Sequence, residues 1–181
     1  MASRLHLAPE RPSDAPLVSA LVARAFGPGR FAKAAERLRE TSSPIAELSF
    51  VAWCGETAVG CVRLWPITIG GAPAVLLGPF AVDEAERSAG IGAALIGRAC
   101  EAAADAGHRL VLLVGDEAYF GSLGFAAAPA KGVRLPGPVD QKRVLVRALA
   151  PGAAEALAGP VRVARPVRPW AETPHLAAAA S

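Results

Sequence analysis

Arg87-Ser88-Ala89-Gly90-Ile91-Gly92 sets an arginine three residues ahead of a glycine pair, immediately before an Ala-rich stretch with helical spacing. The chemistry available at such a junction is anion binding. A helix N-terminus carries unpaired N–H donors and roughly half a positive charge, and glycines there let a ligand come close. A pyrophosphate suits this arrangement, with Arg87 adding an ionic contact. The same glycine pair could also do no more than begin a helix, and the pair by itself does not separate the two.

Tyr119 is the only tyrosine of the chain. Its phenol, with an ordinary pKa of about 10, can give a proton to a leaving group, or its ring can pack on the core as those of Phe120 and Phe125 would. For a proton acceptor the candidates are Asp83, Glu84 and Glu86 ahead of the glycines, and Glu47 and Glu56 further upstream. Nothing in their spacing selects one, and a water relay is an alternative. Asp116 stands where a helix N-cap belongs. His6 and His108 have no serine or cysteine arranged beside them as a nucleophile pair. Cys54, Cys61 and Cys100 show neither CxxC spacing nor a nearby histidine cluster, which argues against a zinc site or disulfide scaffold and for reduced, buried thiols.

These residues need elements to hold them. Ala74 to Val82 reads as a strand that leads through the acidic loop to the glycines. Gly90 to Ala106 reads as a helix, with Ile91, Leu95, Ala99 and Ala102 or Ala103 at helical spacing and Gly107 closing it. Leu110 to Val114 follows as a buried strand, so this strand–helix–strand unit predicts a right-handed crossover between parallel strands. Upstream, Arg4 to Leu7 is a first strand, Pro12-Ser13-Asp14 starts a helix that ends at Gly27, and Phe31 to Arg39 forms a second helix. Leu48 to Cys54, Ala58 to Ile69 and Ala74 to Val82 make three sequential antiparallel strands. Pro79 lies inside the third and removes a ladder hydrogen bond, so the strand is expected to be irregular there. Downstream come a short helix from about Glu117 to Leu123, closed by Gly124, and strands at Val133 to Leu135 and Val144 to Leu149. Residues 1–150 thus form one domain. Residues 151–181 are a Pro- and Ala-rich extension with little regular structure expected, anchored at Trp170 if anywhere.

Composition bounds the function. With 181 residues, 52% hydrophobic and 19% charged, the chain is too apolar for disorder and long enough for a sizeable core. Its net charge of +3 is scattered, which argues against nucleic acid as a partner. The longest apolar stretch, Gly71 to Val82, is shorter than the roughly 20 residues of a spanning helix, and the first residues have no apolar signal-peptide core. Cytoplasmic location without membrane association is the expectation.

Arg-x-x-Gly-x-Gly between a strand and an Ala-rich helix resembles the acetyl-CoA signature of the GNAT superfamily of N-acetyltransferases. The likeness extends to the β, α, α, β, β, β, α, β, α, β, β order and to Asp116-Glu117-Ala118-Tyr119-Phe120-Gly121-Ser122-Leu123-Gly124-Phe125. The stretch GHRLVLLVGDEAYFGSLGF, with LPGP at Leu135 to Pro138, is similar to the YhbS-like branch of that superfamily. The resemblance implies an α/β (α+β) fold: a mixed, mostly antiparallel sheet of about seven strands, splayed between the fourth and fifth and flanked by about four helices.

For chemistry, the resemblance implies acetyl-CoA as cosubstrate, no metal, and a small-molecule or peptide amine as acceptor, attacking directly in a ternary complex. Backbone groups of Phe80, Ala81 and Val82 would bind the pantetheine arm. The amides of Arg87, Ser88, Ala89, Gly90, Ile91, Gly92 and Ala93 would take the pyrophosphate. Tyr119 would protonate the leaving thiolate, and a backbone N–H at the bulge, that of Val82, would receive the oxyanion. Acceptor specificity is expected from Gly27 to Phe31, Thr41 to Glu47 and Val133 to Arg143. A homodimer is one assembly the resemblance allows. Two alternatives remain: an acyl-CoA-binding sensor or partner module without transfer, and an ordinary α/β domain whose glycine turn holds another phosphate ligand. The second is weakened because no GxxxxGK[ST] is present and Leu95 fills the third glycine position of a dinucleotide fingerprint.

Overall fold

The strands and helices follow the expected order, with one addition. In the computed structural model, which describes residues 5–27, 34–87 and 89–164, the elements are β1 (Leu5–Pro9), α1 (Ala15–Phe26), α2 (Ala34–Arg37), β2 (Phe50–Cys54), β3 (Thr57–Ile69) and β4 (Ala72–Val82). They continue with α3 (Ile91–Asp105), β5 (Leu110–Val114), α4 (Glu117–Phe120), β6 (Gly132–Arg134), β7 (Val144–Ala148) and β8 (Ala158–Val163). The main path of the sheet runs β1-β2-β3-β4-β5-β7. Along it only β4 and β5 are parallel.

α1 starts from a tight turn at Pro12–Asp14. The Asp14 carboxylate, 3% exposed, accepts from the Arg11 backbone N–H at 2.9 Å and from its guanidinium at 3.3 Å. Burial alone would raise the pKa of Asp14, but its bonds to Arg11 outweigh this and hold it below the ordinary value. Val18, Leu21 and Val22, at i, i+3 and i+4, pack on Val51, Trp53, Cys61 and Ala81 of one sheet face. The other face takes α3, whose Ile91, Leu95, Ile96, Ala99, Cys100 and Ala103 are buried. Each fully buried Leu or Ile of that stripe contributes roughly 1.5–3 kcal/mol. The alternation of β2, with Phe50 and Ala52 toward α3 and Val51 and Trp53 toward α1, links the two halves of the core.

The expectation of little regular structure beyond Ala150 is corrected by β8. The first half of β3 pairs with β2, and once β2 has ended, Ile67–Ile69 pair with Val161–Val163 of β8. β6 then pairs in parallel with β8. Val161 is buried with Ile67, Ile69, Ala74 and Val133, and the Pro160 carbonyl accepts from the Gly70 N–H at 3.0 Å. Gly159 permits the crossing, because a Cβ there would lie 2.6 Å from the Gly70 Cα. The extension thus adds one strand to the domain's sheet, while residues 165–181, including Trp170, lie outside the described residues.

Cys61 and Cys100 are buried. Burial pushes the Cys61 thiol up to about 12 and raises that of Cys100. Iodoacetamide at mildly alkaline pH should therefore leave both unmodified in the folded protein and alkylate both after denaturation. Peptide mass mapping checks this, and rapid labelling of either in the native state would contradict it. Among the described residues no helix is long and apolar enough to cross a membrane.

Candidate active site

β4 is disturbed where Pro79 predicts it. Leu77 pairs with Leu64 and Phe80 with Val62, so Gly78 and Pro79 together oppose the single residue Arg63. The Gly78–Pro79 peptide is cis, and the Gly78 carbonyl accepts from the Trp65 indole N–H at 2.5 Å. β4 pairs with β5 only through Val75–Val111 and Leu76–Leu112, and beyond that point the two strands part. A cavity of about 690 Å³ opens between them, walled by Gly78 to Val82 on one side and Leu113 to Gly115 on the other.

The gap receives backbone polar groups. The Asp83 N–H donates to the Val59 carbonyl at 2.8 Å, which sets the phase of the β3–β4 ladder. Residues of an antiparallel strand alternate between bonding their partner and facing away, so Ala81 bonds toward β3 while Phe80 and Val82 point N–H and C=O into the gap. The expected position of the Val82 amide is corrected in one respect. The bulge lies at Gly78–Pro79, and Val82 stands in register with Gly60 beyond it. Phe80 carries the first amide after the bulge, since proline has no N–H.

α3 points its N-terminus at the same cavity. Gly90 adopts a left-handed φ of 72°, and Ile91 to Ala93 form the first turn of the helix. The Arg87 and Ala89 amides already donate to the carbonyls of Glu84 and Glu86, which leaves the amides of that first turn as the available donors. Arg87 and Gly92 line the cavity, and the side chain of Ile91 is buried beneath it. Ser88 lies outside the described residues.

Tyr119 is a cavity residue, 45% exposed, and not a core residue. Asp116 caps α4 by accepting from the Ala118 N–H at 3.0 Å, which sends Tyr119 toward α3. A Cβ on Gly92 would stand 2.5 Å from the Tyr119 hydroxyl and 2.9 Å from the Phe80 ring, so the phenol rests directly over the first turn of α3. The rings of Phe80 and Phe120 hold it, at centroid distances of 6.4 and 4.9 Å. Burial raises its pKa, which keeps the phenol protonated at neutral pH.

The other sequence candidates scatter. Asp83 caps the Ala85 N–H at 3.2 Å and faces Arg24 at 3.7 Å, and Glu84 is an exposed neighbour of Arg87. Glu56 lies with His6 and Trp53 in a groove at the β1–β2 edge, away from the cavity. Of the expected acceptor segments, Pro138 to Asp140 and Arg143 line the cavity, whereas Thr41 to Glu47 do not. That segment is drawn to the α3 face, where the Ile45 N–H donates to the Leu64 carbonyl at 2.7 Å. Its place is taken by Ala34, Ala35, Glu36 and Arg39, with Phe26 just before Gly27; residues 28–31 lie outside the described residues. Glu36 and Arg39 were not legible as site residues, because an i,i+3 acid–base pair has the pattern of any solvated helix face.

A sheet that splits beside a glycine-initiated helix, with a phenol over that helix, has the architecture of an acyl-CoA-dependent acyltransferase. The family described as Acetyltransferase (GNAT) family matches residues 17–128. The N-acetyltransferase YhbS of Escherichia coli strain K12 is 30% identical over 153 residues, covering 83% of this chain and 90% of that protein. The chain therefore belongs to the GNAT family of acetyltransferases. A crystal structure of YhbS from Escherichia coli in complex with CoA superposes with a TM-score of 0.77 at 29% identity, covering 91% of this chain and 92% of that one. A GNAT family acetyltransferase from Brucella melitensis in complex with acetyl-CoA gives 0.64 at 26% identity, covering 90% and 97%.

Proposed function

We propose that the protein transfers the acetyl group of acetyl-CoA to a primary amine of a small molecule or peptide, by direct attack in a ternary complex. The observation that carries this reading is the convergence on one cavity of three features: the outward amides of Phe80 and Val82, the open first turn of α3, and the Tyr119 phenol over Gly92. Phe80 to Val82 form the edge for the pantetheine arm, with Ala81 contributing wall and not hydrogen bonds. The amides of Ile91 to Ala93, with Gly90 and Arg87, receive the pyrophosphate. Phe80 and Val82 offer N–H groups to the developing oxyanion, and Tyr119 gives its proton to the departing thiolate.

Direct attack is favoured because neither buried thiol suits a covalent relay. Burial pushes the Cys61 thiol up to about 12, and Cys100 lies on the buried face of α3. Buried reduced thiols also suit the cytoplasm. Two relatives were crystallised with CoA or acetyl-CoA, which supports the cosubstrate.

Isothermal titration with acetyl-CoA and CoA, followed by thiol release against a panel of amines, tests the reading. Micromolar binding with thiol release supports it, binding without release for any amine favours a sensor module, and no binding overturns it. Arg87→Ala should weaken CoA binding by about 1.5–3 kcal/mol, as expected for a charge-assisted hydrogen bond. Unchanged affinity would remove Arg87 from the site.

A further inference from the structure

The acceptor end of the cavity contains an ion pair that the cosubstrate reading leaves without a task. Glu36 and Arg39 meet at 2.8 Å with side chains 20% and 13% exposed. They line both the large cavity and a second chamber of about 150 Å³, whose wall includes Ser19, Glu40, Arg63 and Trp65. The pair is thus a partition between the reaction gap and a smaller polar space that has room for water. Arg39 is fixed against the break in β4, because a Cβ on Gly78 would stand 2.8 Å from its Nη2. Through Arg39, Glu36 is held near Gly78, which precedes Phe80 by two residues at the break in β4.

We infer that Glu36 receives the acceptor's ammonium group and takes its proton, that Arg39 is its positioning residue, and that the acceptor is a primary alkylamine on an uncharged apolar body. One comparison within the site singles out Glu36, whose partner is a side chain, Arg39, and not a backbone amide. The other carboxylates on the cavity, Asp116 and Asp140, are engaged in capping the Ala118 and Lys142 amides. Removing two charges from water is costly, so a shielded pair is weak evidence for stability and suits a site that a charged ligand enters. The apolar body is read from the walls around the pair, which are Val22, Ala25, Phe26, Ala34, Ala35 and Val139. The charged groups that share the two spaces with Glu36 are Arg39 and Glu40 from its own segment, Arg63 on the small chamber, and Arg87, Asp116, Asp140 and Arg143 on the large one. Glu10 stands behind Arg63, bonded to it at 2.8 Å.

The step balances. The ammonium gives one proton to the Glu36 carboxylate, and the freed lone pair attacks the thioester carbonyl. The C–N bond forms, the C–S bond breaks, and the sulfur takes the Tyr119 proton. The acylated nitrogen loses its second proton, which returns to the phenolate through solvent, and Glu36 releases its proton to solvent by way of the small chamber.

This inference rests on the acetyltransferase reading, so its test separates the two. Binding of acetyl-CoA is measured by calorimetry, and transfer is measured with hexylamine and 6-aminohexanoate as probes. The expected result is acetylation of hexylamine in preference to 6-aminohexanoate. In Glu36→Gln, kcat/KM should fall by about 10²–10⁴-fold with acetyl-CoA affinity unchanged. The wild-type rate should vary little between about pH 6 and pH 8. That of E36Q should rise about tenfold per pH unit, because the variant must await the free amine from solution. Arg39→Lys should keep acetyl-CoA affinity and raise KM for hexylamine more than it lowers kcat. If wild type does not bind acetyl-CoA, the broader reading fails. If it binds but acetylates neither probe, or prefers 6-aminohexanoate, the acceptor class is overturned. If E36Q acetylates hexylamine with the wild-type rate and pH profile, the role of Glu36 is overturned.

Discussion

Tyr119→Phe should lower kcat by about 10²–10⁴-fold, the contribution of a positioned general acid, while leaving CoA affinity within about twofold of wild type. The split follows from geometry. Phenylalanine keeps the ring between Phe80 and Phe120 and so preserves the wall of the cavity, and only the hydroxyl over Gly92 is lost. That hydroxyl is the one proton donor of the chain's aromatic cluster, and the raised pKa that burial gives it keeps the proton in place at neutral pH. The sign is definite: a phenol acid works while protonated and fails as pH rises through its pKa. The alkaline limb of kcat should therefore lie above the ordinary phenol value of about 10 and be absent in the variant. Steady-state kinetics with an excess of acetyl-CoA measures both. Equal turnover in the two proteins would return Tyr119 to a packing role.

What could be read in advance was the scaffold, for reasons that are local. The stripe from Ile91 to Ala103, the β-branched and aromatic run of β2 and the N-cap at Asp116 each state their structure within a few residues of chain. Pro79 announced a disturbed ladder, and the structure locates it at Gly78–Pro79 with the parting of β4 from β5 immediately beyond. What escaped depended on distant partners. β8 carries Gly159 and Pro160, both unfavourable in a strand, and exists because β3 outlasts β2 and leaves Ile67–Ile69 an open ladder. Glu36 and Arg39 become site residues only because α2 lies beside Gly78, more than thirty-five positions later in the chain. The segment Thr41 to Glu47 shows the converse: its place as a loop between elements suggests an acceptor role, and the hydrogen bond from Ile45 to Leu64 draws it to the α3 face.

Gly92 joins the two halves of the site, and its substitution separates stability from function. Gly92 stands in the first turn of α3, where alanine gains only part of the roughly 1 kcal/mol by which it is favoured over glycine at interior helix positions. Set against the crowding that the added methyl meets, that gain leaves Gly92→Ala folded, with Tm within about 2–4 °C of wild type for a chain of this size. The added methyl nevertheless has no room: it would stand 2.5 Å from the Tyr119 hydroxyl and 2.9 Å from the Phe80 ring, where ordinary contact begins at 3.4 Å. The Phe80 ring is backed by that of Phe120 and is the less crowded of the two, so the phenol must yield most, by about 1 Å. A displacement of that size in a reacting group costs about 10²-fold in rate. The expected outcome is a folded protein of near wild-type stability whose kcat falls by about that factor, and whose further mutation to Phe at Tyr119 costs much less than it does in wild type, because the acid is already misplaced. Thermal melts and a double-mutant cycle on kcat read both quantities. Full activity in Gly92→Ala, or independent and additive losses in the cycle, would show that the hydroxyl over the first turn of α3 is not the acid.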